Sequence, residues 1–258
     1  MNTPDPSNSR ADADETPPNW RGPVLAIDAS APQSVVLVAE LDDEGGRILA
    51  ADARVDGANQ ASATLDHRIR ELLAEAGLDM RALAGIACGR GPGTFTGTRV
   101  AVATMQGIAV ALGARVLPIG TLEALAHSVE GQPDRPRLAL LDARRGEVYG
   151  QSFDPRAGGG FEPSSEAKCT ALSDFDVLSR APLAIGPGVP PYADALPDDA
   201  VALPGPTPEG LLAALVEANR SRPTVAPHAL EALYLRATYA ELGIHKPKRA
   251  MYKSPFVD

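Results

Sequence analysis

Val24-Leu25-Ala26-Ile27-Asp28-Ala29-Ser30 and Leu138-Ala139-Leu140-Leu141-Asp142-Ala143-Arg144 are one pattern written twice, about 114 residues apart. Each is an apolar run closed by an acid and followed by a short turn, Ala29 to Gln33 in the first and Ala143 to Gly146 in the second. Each then enters a second apolar strand, Ser34 to Glu40 or Glu147 to Phe153. A pattern that restarts at this distance is the mark of an internal duplication. In the first copy Gly45-Gly46 turns the chain into a third strand, Arg47 to Val55, completing a meander. Ser62 to Ala76 follows with Leu65, Ile69, Leu72 and Leu73 at helical spacing, and Gly77 stands where a helix ends. Next come a strand at Leu83 to Ala87, a glycine-rich loop, an apolar helix at Val100 to Leu112, a strand at Arg115 to Pro118 and a helix from Thr121. The order β-β-β-α-β-α predicts mixed α/β sheets, one in each half. The second half is poorer in helix. Leu183 to Gly186 reads as a short strand within a Pro- and Gly-rich surface stretch, and Pro208 to Asn219 and Pro227 to Leu242 read as closing helices, each opened by a proline.

The loop Gly89-Arg90-Gly91-Pro92-Gly93-Thr94-Phe95-Thr96-Gly97-Thr98-Arg99 holds four glycines and three threonines between a strand and a helix, where unpaired backbone N–H groups and the helix dipole favour an anion. It fits neither common phosphate fingerprint. No Gly-Lys-Ser/Thr follows it, and it does not sit after the chain's first strand with an acid about twenty residues on. The plainer reading is that its glycines let the chain turn tightly and let the helix approach a neighbour.

The totals are those of a globular protein: 44% hydrophobic and 22% charged, with only 4% aromatic residues. A net charge of −9 disfavours direct binding to nucleic acid, which needs a basic face. Cys88 and Cys169 form no CxxC pair, and His67, His127, His228 and His245 include no pair at metal-ligand spacing, so no metal site is expected. The first twenty-one residues are polar and proline-bearing and read as a disordered tail rather than a signal peptide. The longest apolar run, Val100 to Leu112, is too short to span a bilayer, and a cytoplasmic protein is expected.

The Val100 helix carries Ala103, Gly107 and Ala111 at four-residue intervals, beside Val100, Thr104 and Ile108. Small residues at that spacing let two helix backbones approach closely. The run is apolar all round, so a second buried face beyond its own sheet is expected. The Ser62 helix, with Leu65, Ile69, Leu72 and Leu73 apolar and His67, Arg68, Arg70 and Glu71 polar, is its natural neighbour, and two such helices from each of two subunits would form a four-helix interface. Those ten apolar and small residues are the candidate partner interface.

The strings LAIDAS at 25–30, GRGPGTFTGTRV at 89–100, QGIAVALG at 106–113, LDARRGEVY at 141–149 and YLR at 234–236 resemble the TsaB (YeaZ) family, over about residues 23 to 240. The duplicated unit resembles the wider actin, Hsp70 and sugar-kinase superfamily, with its ribonuclease H-like core. The resemblance implies a first domain over 22–120 carrying the partner-binding helices and a second, smaller one over 121–243 whose final helix returns toward the first, followed by a basic tail over 244–258 with Lys246, Lys248, Arg249 and Lys253. It implies a pseudoenzyme related to the catalytic threonylcarbamoyl transferase subunit, TsaD, but without that subunit's metal-binding HxxxH pair; the corresponding stretch reads Asn59-Gln60-Ala61-Ser62-Ala63-Thr64. Such a subunit supports threonylcarbamoyl transfer to adenosine 37 of tRNA with TsaD and the ATPase TsaE, touches tRNA only through the complex, and pairs with itself when alone. No cofactor is expected on the chain by itself, while ATP or ADP with magnesium at a shared interface stays open. The superfamily's phosphate loops fall at the two hairpins, so Asp28, Ser30, Asp142 and Arg144 are the weak nucleotide candidates. The first hairpin loses an N–H at Pro32 and offers one hydroxyl, a poor cradle. Arg144 and Arg145 are either a solvated turn or an anion clamp on the cleft. The rival reading is an active kinase-like or glycoprotease-like enzyme.

Overall fold

The computed structural model describes residues 16–55 and 61–236. Asn59, Gln60 and the basic tail from residue 244 lie outside them. β1 (Gly22–Asp28), β2 (Gln33–Leu41) and β3 (Gly46–Val55) form the antiparallel meander that the turns predict. After α1 (Ala61–Glu75), β4 (Gly85–Gly89) pairs parallel to β1. After α2 (Phe95–Leu112), β5 (Val116–Ile119) pairs parallel to β4, giving the order β3-β2-β1-β4-β5. β1 is central, and Val24 to Ile27 are fully buried, which is why its sequence is a continuous apolar run.

The second half repeats the plan in reduced form. β6 (Arg137–Arg144) and β7 (Glu147–Pro155) are the second hairpin; β8 (Phe161–Pro163) and β9 (Lys168–Thr170) both pair with β7, and β10 (Leu183–Ile185) runs parallel to β6 as β4 does to β1. Short 3-10 turns at Leu172–Asp174 and Asp176–Arg180 stand where the first half has α1. A parallel bridge, Ile185 to Val201, marks the place that β5 holds in the first half.

Helices cross between the halves. α1 and α2 cover one face of the first sheet. Its other face is covered by α4 (Pro208–Ser221), through Leu211, Ala214, Leu215 and Ala218 against Val24, Ala26, Val35 and Leu37. α3 (Thr121–Ala126) packs Leu122, Leu125 and Ala126 on Ala139, Leu141 and Phe153 of the second sheet. Leu211 and Leu215 are wholly buried, each contributing ~1.5–3 kcal/mol. This is the actin-like architecture.

Four sequence expectations are corrected. The glycine-rich helix starts at Phe95, five residues before Val100, so Gly97 to Arg99 are helical rather than loop. At eighteen residues it is long and apolar enough to cross a membrane, yet Ala101, Met105 and Ala109 are spent on its own sheet. Pro227 opens only a 3-10 turn, Pro227–Ala229, and the chain runs on without helix to Arg236, because Val225 pairs with Val116 at the sheet edge and Leu230 is drawn into the core. The returning helix is α4. Finally, the packed chain begins before residue 22: Asn219 accepts from Trp20 N–H at 2.8 Å and donates back to its carbonyl, and the Trp20 ring lies so close over Gly85 that a Cβ there would sit 2.2 Å from it.

Candidate functional site

Asp28 ends β1 with no exposed surface. Its Oδ1 accepts from Ser30 N–H at 2.7 Å and its Oδ2 from Thr121 Oγ1 at 2.7 Å. Burial raises its pKa, and those two hydrogen bonds only partly offset the rise. Burial, then the Asp28 charge, likewise pushes the Cys88 thiol up. The glycine loop fills the space where a phosphate would approach. Thr94 N–H, at the N-cap of α2, donates to Ser30 O at 2.6 Å. A Cβ on Gly93 would fall 1.9 Å from Ser30 O, and one on Gly97 1.9 Å from Ala29 O. Carbonyl oxygens of the first hairpin therefore face the N-terminus of α2, and Asp28 and Ser30 are enclosed. These residues do not fit a nucleotide phosphate.

The second hairpin is open. Asp142 Oδ1 accepts from Arg144 N–H at 2.8 Å, and the Arg144 side chain is 84% exposed. Arg144, Arg145 and Gly146 all have positive φ, 67°, 61° and 79°. Asp142, Arg144 and Tyr149 form one wall of a cavity of about 330 Å³, and Pro32, Gly93, Thr94 and Phe95 form the other, so the cavity lies between the halves. The structure thus brings Asp142 and Arg144 to the cleft but not Asp28. Among the described residues no group of three His, Cys, Asp or Glu side chains is placed to hold a metal. A larger cavity, about 830 Å³, lies along α4 and is lined by His127, Arg156, Glu217 and Arg222, all engaged in ion pairs.

The candidate partner interface divides. Leu65, Ile69, Leu72 and Leu73 are at most 5% exposed and belong to the protein's own core, so they offer nothing to a partner. Helical spacing identifies an apolar face but not what covers it. Arg68, read as polar surface, is wholly buried: Nε donates to Asp52 Oδ2 at 2.9 Å and Nη1 to Ser34 Oγ at 2.6 Å, tying α1 to the meander. Among its described side chains α1 exposes Asp66, His67, Arg70, Glu71 and Glu75 beside Ala74, with His67–Glu71 and Asp66–Arg70 pairs one turn apart. On α2, in contrast, Ala103, Gly107 and Ala111 are exposed, with Val100, Thr104 and Ile108 half-buried beside them. Val110 on the same face is 71% exposed. A Cβ on Gly107 would meet nothing within 4 Å among the described residues. At the N-terminal end of α2 the exposed Phe95 ring lies under the Arg99 guanidinium at 3.6 Å and near the Tyr234 ring. Thr121 is a site residue that the sequence reading did not single out, and Phe95 and Arg236 entered it only within the strings at 89–100 and 234–236.

Comparison with known proteins places these features. The family model described as "TsaD: tRNA N6-adenosine threonylcarbamoyltransferase" matches residues 57–158. The chain is 28% identical over 184 residues to the Escherichia coli tRNA threonylcarbamoyladenosine biosynthesis protein TsaB, covering 67% of this chain and 79% of that one. It is 42% identical to the Haemophilus influenzae protein of the same name over 82 residues, 31% of this chain and 35% of the relative. The solved structure of YeaZ from Pseudomonas aeruginosa matches at a TM-score of 0.68 and 28% identity, covering 83% of this chain and all of that one. Taken with the duplicated hairpins and the crossing helices, these likenesses assign the chain: it belongs to the TsaB (YeaZ) family.

Proposed function

We propose that the chain is a non-catalytic scaffold subunit in the synthesis of threonylcarbamoyladenosine in tRNA. It supports threonylcarbamoyl transfer to N6 of adenosine 37, in tRNAs that read codons starting with A, by pairing with a TsaD-like transferase subunit, and a TsaE-like ATPase joins them. Alone, it pairs with itself through the same surface. The observation that carries this reading is the open face of α2. A glycine inside a helix costs ~1 kcal/mol relative to alanine, yet no neighbour among the described residues requires Gly107. Ala103, Gly107 and Ala111 make a shallow groove in which a partner helix can seat, Val110 supplies an apolar contact, and the charged face of α1 flanks it. Contact with tRNA comes through the complex, since a chain of net charge −9 lacks the basic face that direct binding needs.

Gly107→Arg tests the reading. The arginine projects into open space, so folding is retained while the groove is filled. Size-exclusion with the transferase subunit should then show separate peaks, and reconstituted tRNA modification should fall to the level without this chain. An intact complex would overturn the reading. The cavity at Asp142 and Arg144 is what favours the second reading, a kinase-like or glycoprotease-like enzyme. Calorimetry with Mg-ATP separates the two: micromolar binding with turnover by the isolated chain would replace the scaffold with the enzyme.

A further inference from the structure

Tyr234-Leu235-Arg236 touches both halves of the molecule. The segment leading to it is anchored on the first half: Leu230 is 2% exposed in the core under α2, Gln106 Nε2 donates to Leu230 O at 3.0 Å, and Leu233 N–H donates to Arg90 O at 2.7 Å. Tyr234 then lies beside the N-terminal end of α2, its hydroxyl accepting from Arg99 Nε at 2.7 Å and its ring 6.1 Å from that of Phe95. Two residues later the chain reaches the second half. Arg236 Nη1 donates to Ala143 O at 2.8 Å and Nη2 to Arg144 O at 3.4 Å, its guanidinium pairs with Glu147, and its charge lies near the Cys169 thiol. The hairpin it grips holds two successive non-glycine residues in left-handed backbone, which persists only where the surroundings impose it. Phe95 and Arg144, the residues at the two ends of this bridge, are opposite walls of the interdomain cavity. The halves are joined elsewhere by α3 and α4, which contribute nothing to the described cavity walls.

We propose that Leu230–Arg236 is a latch that ties the two halves together across the interdomain cleft, with Arg236 as its catch on the second hairpin, so that the halves part at this point only when Arg236 lets go. The firm end is buried at Leu230. The catch is partly exposed, with Arg236 30% and Glu147 41% accessible, so it is the end that opens, and it weakens as salt screens it. This goes beyond the scaffold reading and does not depend on it.

Cys169 is a built-in reporter. It faces Tyr149 across the β7–β9 pairing beneath Arg236, whereas Cys88 is fully buried and silent. In the full chain, Tyr234→Ala removes the contacts with Arg99 and Phe95 that hold the chain next to the catch, and leaves the Arg236 charge beside the thiol. Labelling of Cys169 by Ellman's reagent should rise about tenfold, with matching loss of hydrogen-exchange protection at residues 143–147 and none in β1 and β4. Arg236→Lys keeps the charge but loses the two-carbonyl fork, and should do the same. Higher salt should speed labelling of the wild type. Unchanged labelling and exchange in both variants would overturn the latch, and so would protection lost evenly across β1 and β4 as well as the hairpin.

Discussion

The two hairpins carry the same pattern and have opposite fates. After β1, Asp28 is sealed: Thr121 and Ser30 N–H hold its carboxylate, and Gly93 and Gly97 bring the N-terminus of α2 down onto the hairpin carbonyls. After β6, Asp142 stands at an open cleft, and its turn is gripped from outside by Arg236. What differs is the helix that follows. The first half supplies an eighteen-residue α2 whose glycine-bearing start plugs the loop, while in the second half a six-residue 3-10 turn, Pro190–Ala195, stands in the place of α2 and touches the hairpin beyond Asp142, through the Tyr192 hydroxyl on Glu147 O. A shared apolar-Asp-Ala string therefore determines a strand and a turn, and the neighbours decide whether the acid is core or surface.

Alanine at the glycines breaks this contrast most directly. Gly97→Ala places a methyl 1.9 Å from Ala29 O, a backbone atom that cannot step aside without moving the hairpin. The expected loss is ~3 kcal/mol or more, as for severe overpacking, read from urea denaturation. At the second hairpin, Gly146→Ala meets nothing within 4 Å and pays only for left-handed backbone at φ +79°, about 1–2 kcal/mol. Equal losses would mean that the first loop is not sealed as described.

Much of this was legible in the sequence. Alternation, acids and turn glycines located both hairpins to within a residue or two, because the strand pattern and turn chemistry are local. Three things were not. Gly97 read as loop because a glycine inside a helix is unfavourable unless something demands it, and the demand is Ala29 O, sixty-eight residues away. Leu65, Ile69, Leu72 and Leu73 read as a face for a partner, since spacing cannot tell a chain's own sheet from another chain. Pro227 to Leu242 read as a helix opened by its proline, yet over the described residues tertiary contacts override it: Val225 joins the sheet edge and Leu230 enters the core. At the site, the sealing of Asp28 and the reach of Arg236 are long-range contacts with no local signature.

The smallest expected effect sharpens the contrast between the two acids. Burial raises the Asp28 pKa in the folded protein above the unfolded value near 3.8, so the folded state holds its proton more tightly than the unfolded chain does. Stability linked to this group is therefore fully present below about pH 4 and is lost as pH rises through the folded pKa. Asp28→Asn keeps the shape: the amide oxygen still accepts from Ser30 N–H and the amide nitrogen donates to Thr121 Oγ1. The variant should hold its stability as pH rises over that range, so that its difference from wild type moves in its favour toward neutral pH, and it should still support tRNA modification. Asp142→Asn is the control at the open hairpin, expected to shift stability by less than ~0.5 kcal/mol because its amide oxygen can still take the Arg144 N–H. Urea titrations from pH 3.5 to 8 on both variants, with the modification assay beside them, read out the comparison. Loss of modification with Asp28→Asn at unchanged stability would make Asp28 a working carboxylate and return the first hairpin to the chemistry of the cleft.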